Sequence, residues 1–215
     1  MSNIRQIDAI IFDLDGTLAD TFGLIVAAWN AALTPHTGKV YSPEDVIARF
    51  GPPDSQMIRN ELTGPLAEQA IEAYHAHYEK NHDIVSAFEG IDALLLELAR
   101  RKVPLGLMTG KGRRSAEITL EALNWQDRFG AVVTGDDIEH QKPAPDGPLQ
   151  AARILQVSPR SCAFVGDSPA DMLAGRAARM VTVAAAWHGH YTDKIRALKP
   201  DVWAESPADV LNLVG

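Results

Sequence analysis

The sequence predicts an α/β fold: a doubly wound parallel sheet with an all-helical segment inserted after its first strand. From residue 86 onward, short apolar runs alternate with helical segments of about ten residues, the pattern of a parallel sheet with helices on both faces. Residues 20–85, in contrast, show only helical periodicity, and we expect no strand among them. We therefore predict a core domain at residues 1–19 and 86–215 and a helical cap domain at residues 20–85.

The first strand is predicted at residues 7–13, where an apolar run leads into Asp13-Leu14-Asp15-Gly16-Thr17-Leu18. Two carboxylates this close repel each other unless a cation or a proton shares the site. A solvated acidic turn explains an isolated Asp-x-Asp, but the full match Asp-x-Asp-Gly-Thr-Leu arises by chance in about one chain per several thousand. We interpret this strand end as part of a functional site.

Helical periodicity predicts four helices in the insert, at residues 21–33, 43–50, 54–62 and 66–81. The second has the clearest start, because Ser42 is a good N-cap residue and Pro43 suits the first helical position. Three histidines, His75, His77 and His82, lie on or just after the last helix. The first two are two residues apart and do not share a helix face, so we interpret the group as a solvated surface rather than a metal site.

In the core domain, the pattern predicts strands at 103–108, 129–133, 162–165, 181–185 and 202–203, and helices at 90–101, 113–123, 146–155, 169–178, 193–198 and after Ser206. In such sheets, ligands bind outside the carboxyl ends of the strands. Asp13, Thr109 and Asp167 all fall at predicted carboxyl ends, so we expect one crevice to hold all three. The helical insert leaves the core at the same edge, which would let it act as a lid.

The bulk properties restrict the partners and the compartment. A formal net charge of -8 argues against nucleic acid as a partner. The single cysteine, Cys162, cannot form an internal disulfide, and its apolar neighbours indicate a buried thiol. We find no signal-peptide pattern and no apolar run of membrane-spanning length. We therefore expect a cytoplasmic monomer or weak dimer that does not bind a membrane.

Four short motifs, taken in chain order, resemble those of the haloacid dehalogenase-like hydrolase superfamily. The first is the stretch from Asp13 to Leu18, and the second is Thr109 followed by Gly110 and Lys111. Lys142-Pro143 is similar to the third motif, and Gly166-Asp167-Ser168-Pro169-Ala170-Asp171 is similar to the fourth. Each motif is weak alone, but the ordered set on suitable elements is specific. Within the superfamily, the small helical cap and the Thr-x-Lys pattern resemble the phosphoglycolate phosphatase-like group.

The resemblance implies a Mg²⁺-dependent phosphatase that hydrolyses a small phosphorylated metabolite, a phosphoglycolate-like monoester, through an aspartyl-phosphate intermediate. Asp13 would be the nucleophile and a metal ligand. Asp15 would protonate the leaving alcohol, then activate water, and its backbone carbonyl would bind the metal. Asp167 would be a further metal ligand, with Asp171 behind it as an outer or water-bridged ligand.

The resemblance also implies how the substrate is held. Thr109 and the backbone at Gly110 would bond the transferred phosphoryl group, and Lys142 would supply a fixed positive charge to it. Arg49 precedes a Gly-Pro-Pro loop between two predicted cap helices. We hypothesise that Arg49 binds the far end of an anionic substrate, a carboxylate or a second phosphate. The alternative is a solvated arginine near a helix C-terminus, where a cation is favourable.

Residue types argue against two branches of the superfamily. Dehalogenases lack a carboxylate at the position of Asp15, and phosphonate-cleaving members use a cap lysine, whereas residues 40–79 contain none. A phosphosugar mutase of the β-phosphoglucomutase type and a pyrophosphatase stay open, because they would use the same core residues. A binding protein without turnover would have no need of Asp15. The loop Trp187-His188-Gly189-His190 resembles a Trp-Gly turn of the family with His188 interposed, so its role stays open.

Overall fold

The computed structural model describes residues 7–189 and 191–215. Its strands are β1 (Ala9–Phe12), β2 (Ala19–Asp20), β3 (Ser86–Ala87), β4 (Leu105–Met108), β5 (Ala131–Val133), β6 (Cys162–Gly166), β7 (Val181–Ala185) and β8 (Val202–Ala204). Six of these form one sheet in the order β5-β4-β1-β6-β7-β8, with every neighbouring pair parallel. The predicted parallel sheet is confirmed, and the strand that leads to Asp13 lies near its centre.

Four helices lie between β2 and β3: α1 (Phe22–Thr37), α2 (Pro43–Ile47), α3 (Asp54–Glu61) and α4 (Pro65–Lys80), followed by a 3-10 helix at His82–Ile84. Local signals set the ends of two of them. α2 begins at a capping box in which Ser42 and Asp45 accept hydrogen bonds from each other's backbone N–H groups. α1 continues past its predicted end to Thr37 and stops before Gly38, whose φ of 69° suits a helix C-terminus.

Both faces of the large sheet are covered, because successive residues of β1 pack into different hydrophobic clusters. Ile10 and Phe12 belong to one cluster, and Ala9 and Ile11 belong to another. Neighbouring side chains of a strand point to opposite faces, so this division means a core on each side. The helices of this part are α5 (Ile91–Arg100), α6 (Arg113–Ala122), α7 (Asp146–Leu155), α8 (Pro169–Ala177) and α9 (Thr192–Leu198), with a 3-10 helix at Pro207–Leu213. The doubly wound α/β prediction is confirmed.

β2 and β3 form a separate antiparallel ribbon where the helical segment joins the sheet, with Ala19 opposite Ala87 and Asp20 opposite Ser86. The expectation of no strand in residues 20–85 is therefore wrong at Asp20. Two-residue strands are too short to show a period, so no sequence pattern indicated them. The division of the chain into two domains stays a prediction.

Candidate active site

The carboxyl ends of three neighbouring strands, β4, β1 and β6, face the helical segment across a cavity of about 360 Å³. Parallel strands end at one edge of the sheet, so residues far apart in the sequence meet there. The sheet side of the cavity is lined by residues that the sequence singled out: Asp13, Asp15, Thr109, Gly110, Lys142 and Asp167. The expected common crevice is therefore present, whereas the chemical roles of these residues stay predictions.

Three buried carboxylates surround one lysine at this edge. Asp13, Asp167 and Asp171 each offer an oxygen atom, and these atoms lie within 4.8 Å of one another. Lys142 Nζ lies 3.0 Å from Asp13 Oδ1 and 2.6 Å from Asp171 Oδ1. The second oxygen of Asp171 accepts hydrogen bonds from the backbone N–H and the hydroxyl of Ser168. Both Asp171 oxygens are thus engaged by protein groups, and its outer position toward a metal stays a prediction.

Burial and mutual repulsion favour the protonated forms of these carboxyls. Burial raises the pKa of Asp13 from 3.8 to about 7, with Lys142 opposing this effect and Asp171 and Asp15 adding to it. Burial likewise raises the pKa of Asp167 well above 3.8, and the charges of Asp171 and Asp13 raise it further. Burial lowers the pKa of the Lys142 ammonium, but its carboxylate partners raise that pKa more, so Lys142 is charged.

This donor set fits a hard divalent cation. Mg²⁺ prefers carboxylate oxygens, and a dication would offset the negative charge that raises the pKa values of Asp13 and Asp167. Thr17 donates a hydrogen bond of 2.9 Å to Asp167 Oδ1 and so orients this carboxylate. Within the described residues, the Asp15 side chain is not part of the group, so its predicted share in a metal site rests on its backbone carbonyl.

Asp15 has partners of its own. Its Oδ1 accepts a hydrogen bond from the Thr21 hydroxyl and lies 3.2 Å from Lys111 Nζ. Lys111 is buried, and its ammonium lies over the Tyr78 ring of α4, 4.6 Å from the centroid. Burial lowers the pKa of Lys111, but Asp15 and Tyr78 help to raise it well above 10.5, so Lys111 is a buried cation. No role was predicted for Lys111, and only its place in the Thr-x-Lys pattern pointed to it.

The turn that carries Asp15 requires glycine at position 16. Gly16 has a φ of 80°, a left-handed conformation that residues with a Cβ rarely adopt. A Cβ at this position would also lie 2.4 Å from Asp167 Oδ2 and 2.9 Å from the Phe22 ring. The tight turn therefore lets the first and fourth motifs approach each other closely enough to share one site.

The loop after β7 packs against this turn, which gives a structural role to a segment whose role was open. Trp187 Nε1 donates a hydrogen bond of 2.9 Å to the Thr17 carbonyl oxygen. The His188 ring stacks on Phe22, the first residue of α1, with centroids 5.1 Å apart. His190, the last residue of the predicted loop, lies outside the described residues. His188 thus contacts the start of the helical segment.

A buried polar network joins the helical segment to the sheet part, and the sequence did not indicate it. Asp54, the first residue of α3, accepts hydrogen bonds from the Gly112 backbone N–H at 2.8 Å and from the Ser115 hydroxyl at 3.1 Å. Asp54 Oδ2 also lies 2.9 Å from His75 Nε2 in α4. Burial raises the pKa of Asp54, but the hydrogen bond to His75, the Lys111 charge and the Gly112 N–H lower it more, so this carboxyl is ionised.

Two of the three histidines are buried, which corrects the interpretation of a solvated surface. His75 and His82 are each 5% exposed, whereas His77 is partly exposed. The His82 ring lies 5.0 Å from that of Tyr78, and burial lowers the pKa of His82. α4 packs against both α1 and α6, so more of its surface is buried than a single apolar stripe predicts.

Arg49 is not among the described residues that line the cavity. Its Nε lies 2.7 Å from Glu61 Oε1, and its Nη1 donates to the Asp45 carbonyl oxygen. The guanidinium also lies over the rings of Trp29 and Tyr41, 5.9 Å and 5.3 Å from their centroids. Substrate binding by Arg49 stays a prediction, and Lys111 is the cation beside Asp15.

The fold and the site together define an α/β protein with a carboxylate and lysine centre at the carboxyl ends of parallel strands. The model of the haloacid dehalogenase-like hydrolase family matches residues 10–185. The chain therefore belongs to the haloacid dehalogenase-like hydrolase family, as the four motifs predicted.

None of the helices in the described part of the chain has the length and apolar character needed to cross a bilayer.

Similar proteins cover nearly the whole chain. The pyrophosphatase PpaX of Oceanobacillus iheyensis is 33% identical, and the match covers 98% of each chain. A hydrolase from Pseudomonas syringae has a TM-score of 0.80 and 30% identity over 95% of this chain and 96% of its own. A Lactobacillus plantarum protein assigned as a phosphoglycolate phosphatase has a TM-score of 0.79 and 25% identity, over 97% of this chain and 99% of its own. The helical segment as well as the sheet is thus shared with these proteins.

Proposed function

We propose that this protein is a Mg²⁺-dependent phosphohydrolase that cleaves a small phosphate monoester through an aspartyl-phosphate on Asp13. The observation that carries the proposal is the buried group of Asp13, Lys142, Asp167 and Asp171, with Asp15 beyond the end of the same strand. A phosphoryl group bound there would meet a nucleophile, a fixed cation and a proton donor. We also propose that the substrate is a small metabolite of the cytoplasm and that residues 20–85 act as a cap over the cavity.

In the first step, an Asp13 oxygen attacks phosphorus and the bond from phosphorus to the leaving oxygen breaks. Asp15 acts as the general acid that donates a proton to that oxygen, and the alcohol leaves. In the second step, ionised Asp15 takes a proton from water, which attacks phosphorus and releases inorganic phosphate and Asp13. Thr21 and Lys111 contact Asp15 Oδ1 and thereby orient this carboxyl in both steps.

The phosphoryl oxygens would be held by Lys142, the Thr109 hydroxyl and the Gly110 backbone, because all three residues line the sheet side of the cavity. When bound, Mg²⁺ would neutralise the charge of the phosphoryl group so that an anionic nucleophile can approach it. The groups that would hold the ion are the Asp13 and Asp167 carboxylates and the Asp15 carbonyl, with Asp171 behind them.

The test is phosphate release from nitrophenyl phosphate by the purified protein, with Mg²⁺ and with excess EDTA. We expect turnover in Mg²⁺ only, and a phosphorylated peptide containing Asp13 after rapid acid quenching and mass spectrometry. Full activity in EDTA, or a phosphoryl group on another residue, would contradict the proposal. Product analysis with a phosphosugar separates it from the mutase alternative, since a hydrolase releases inorganic phosphate and a mutase returns an isomer.

A pyrophosphatase is the second candidate. It is favoured by Lys111, a buried cation 3.2 Å from Asp15 that a second phosphate could reach, and by the name of the Oceanobacillus iheyensis relative. The two candidates differ in the leaving group alone, which is phosphate in one and an alcohol in the other. Comparing kcat/KM for pyrophosphate with kcat/KM for alkyl phosphates decides between them.

A further inference from the structure

The helical side of the cavity presents an apolar wall, which consists of Phe22, Ile25, Trp29, Ile47, Phe50 and Met57. Its inner members are well shielded, since Ile25 is 5% exposed, Trp29 0% and Met57 6%. Phe50, in the loop after α2, is 38% exposed and stacks on Phe22 with ring centroids 5.8 Å apart. The wall therefore offers a leaving group aromatic and aliphatic contacts, with an aromatic pair at its more exposed end.

The charged groups that line the cavity are already paired with other protein groups. Lys142 lies between Asp13 and Asp171, and Lys111 pairs with Asp15. In residues 7–189 and 191–215, no lysine or arginine other than these two lines the cavity. A second anionic group on the substrate would therefore have to displace Asp15 from Lys111 or lose its hydration against the apolar wall.

We propose that the preferred substrate is a phosphate monoester of an alcohol with an apolar body, aliphatic or aromatic. This inference rests on the proposed function and specifies its substrate class. The phosphoryl group would lie at Asp13, and the body of the alcohol would contact the apolar wall and leave water. A glycolate carboxylate or a second phosphate would gain nothing from this wall. The cavity volume of about 360 Å³ lies within the usual range for small-molecule sites.

The experiment measures kcat/KM for methyl, ethyl, propyl, butyl and benzyl phosphate, with phosphoglycolate and pyrophosphate as anionic counterparts. The leaving alcohols of the alkyl series have similar acidity, so differences along it report burial rather than ease of bond cleavage. We expect kcat/KM to rise about fourfold for each added methylene until the cavity is filled. We expect butyl and benzyl phosphate to exceed both anionic counterparts.

Two substitutions test whether the apolar wall causes the trend. Phe50→Ala should lower the ratio of kcat/KM for benzyl phosphate to that for methyl phosphate about tenfold, because an aromatic contact is lost. Leu66→Ala is the matched control: Leu66 is another exposed apolar residue of the helical segment, 49% exposed, but does not line the cavity. It should keep the wild-type ratio. Ile47→Lys adds a cation to the wall and should shift the preference toward phosphoglycolate. Melting curves establish that each variant is folded.

The outcomes separate this inference from the proposed function. The inference is overturned, and the proposed phosphohydrolase kept, if phosphate release depends on Mg²⁺ but kcat/KM does not rise along the alkyl phosphates. The same holds if phosphoglycolate or pyrophosphate is the best substrate. An equal fall in the benzyl to methyl ratio in Phe50→Ala and Leu66→Ala also overturns it. No phosphate release from any of the compounds overturns the proposed function and the inference together.

Discussion

The sheet side of the cavity carries three carboxylates and two lysines, whereas the facing helical side carries mainly aromatic and aliphatic side chains. On the sheet side, charged atoms are fixed by other protein groups, as Lys142 is by Asp13 and Asp171. On the helical side, contacts depend on shape and on the removal of water. We therefore propose that phosphoryl chemistry belongs to the sheet side and the choice of leaving group to the helical side.

The largest effect should come from the sheet side. Asp13→Asn should lower kcat by on the order of a thousandfold or more for every ester, because an amide cannot form the acyl phosphate. Asp8→Asn is the control, since Asp8 is an exposed carboxylate just before β1. Steady-state phosphate release measures both. If Asp13→Asn kept a tenth of wild-type activity, Asp13 would not be the nucleophile. The assignment of phosphoryl chemistry to the sheet side would then be wrong as well.

Asp15→Asn should depend on the leaving group. We expect a loss of roughly a hundredfold or more for alkyl phosphates, because the departing alkoxide needs a proton, and a much smaller loss for nitrophenyl phosphate. The measurement is kcat for both esters in the variant and in the wild type. Equal losses would mean that Asp15 acts only by position, and proton transfer would then have to be reassigned.

Asp54→Ala should loosen the junction between the two sides. It removes the acceptor for Gly112, Ser115 and His75 in a buried site, so we expect the free energy of unfolding to fall by about 3 kcal/mol. Asp45→Ala removes an exposed capping interaction and a surface ion pair with Lys39, and should cost about 1 kcal/mol. Urea unfolding measures both. Equal effects would show that the buried network adds nothing beyond a helix cap.

Stabilisation by Mg²⁺ should increase with pH. The pKa of Asp13 is about 7 in the folded protein against 3.8 without burial, so between these values the folded state holds a proton that the unfolded chain has released. Without metal, the contribution of Asp13 to stability therefore falls as pH rises from about 4 to about 7. Mg²⁺ competes with that proton. At a fixed Mg²⁺ concentration a hundredfold above its Kd at pH 8, it should add about 2.7 kcal/mol at pH 8 and clearly less at pH 5.5, which the shift in Tm caused by Mg²⁺ at each pH measures.

The smallest effect should come from Arg49→Ala. Arg49 pairs with Glu61 and does not line the cavity in the described structure, so we expect kcat/KM to change less than about threefold for phosphoglycolate and for nitrophenyl phosphate. A selective loss of about tenfold for phosphoglycolate would support the role hypothesised from the sequence. It would also weaken the assignment of leaving-group choice to the apolar wall.

The parts of the site that the sequence predicted are those with a local signature. Asp13, Thr109 and Asp167 follow apolar strands. The motifs identified them because the end of a strand can be recognised from the residues next to it in the sequence. Asp54 and His75 could not be found in this way, since Asp54 accepts from Gly112, far along the chain, and His75 bonds to Asp54 from another helix. Their significance comes from tertiary packing alone.

The sequence did not indicate the apolar wall either. Ile25, Trp29 and Met57 have the helical spacing of ordinary core residues, and periodicity cannot tell a cavity wall from a packed interior. Burial of His75 and His82 was missed for a related reason: α4 contacts helices on two sides, and the 3-10 helix that carries His82 contacts α6. Sequence patterns thus identified residues that line the sheet side of the cavity and missed the residues that line its helical side.

The pairing of Ala19 with Ala87 and of Asp20 with Ser86 brings the two ends of the helical segment together. Residues opposite each other in an antiparallel pair have Cα atoms only about 5 Å apart. A segment with such close ends can be exchanged as a cassette by recombination, with one crossover on each side of the ribbon, and the rest of the chain need not move. New leaving-group preferences could then arise in one genetic event while Asp13 and its neighbours are inherited unchanged. The requirement is that each incoming cassette brings a surface that fits α6, as α4 does here.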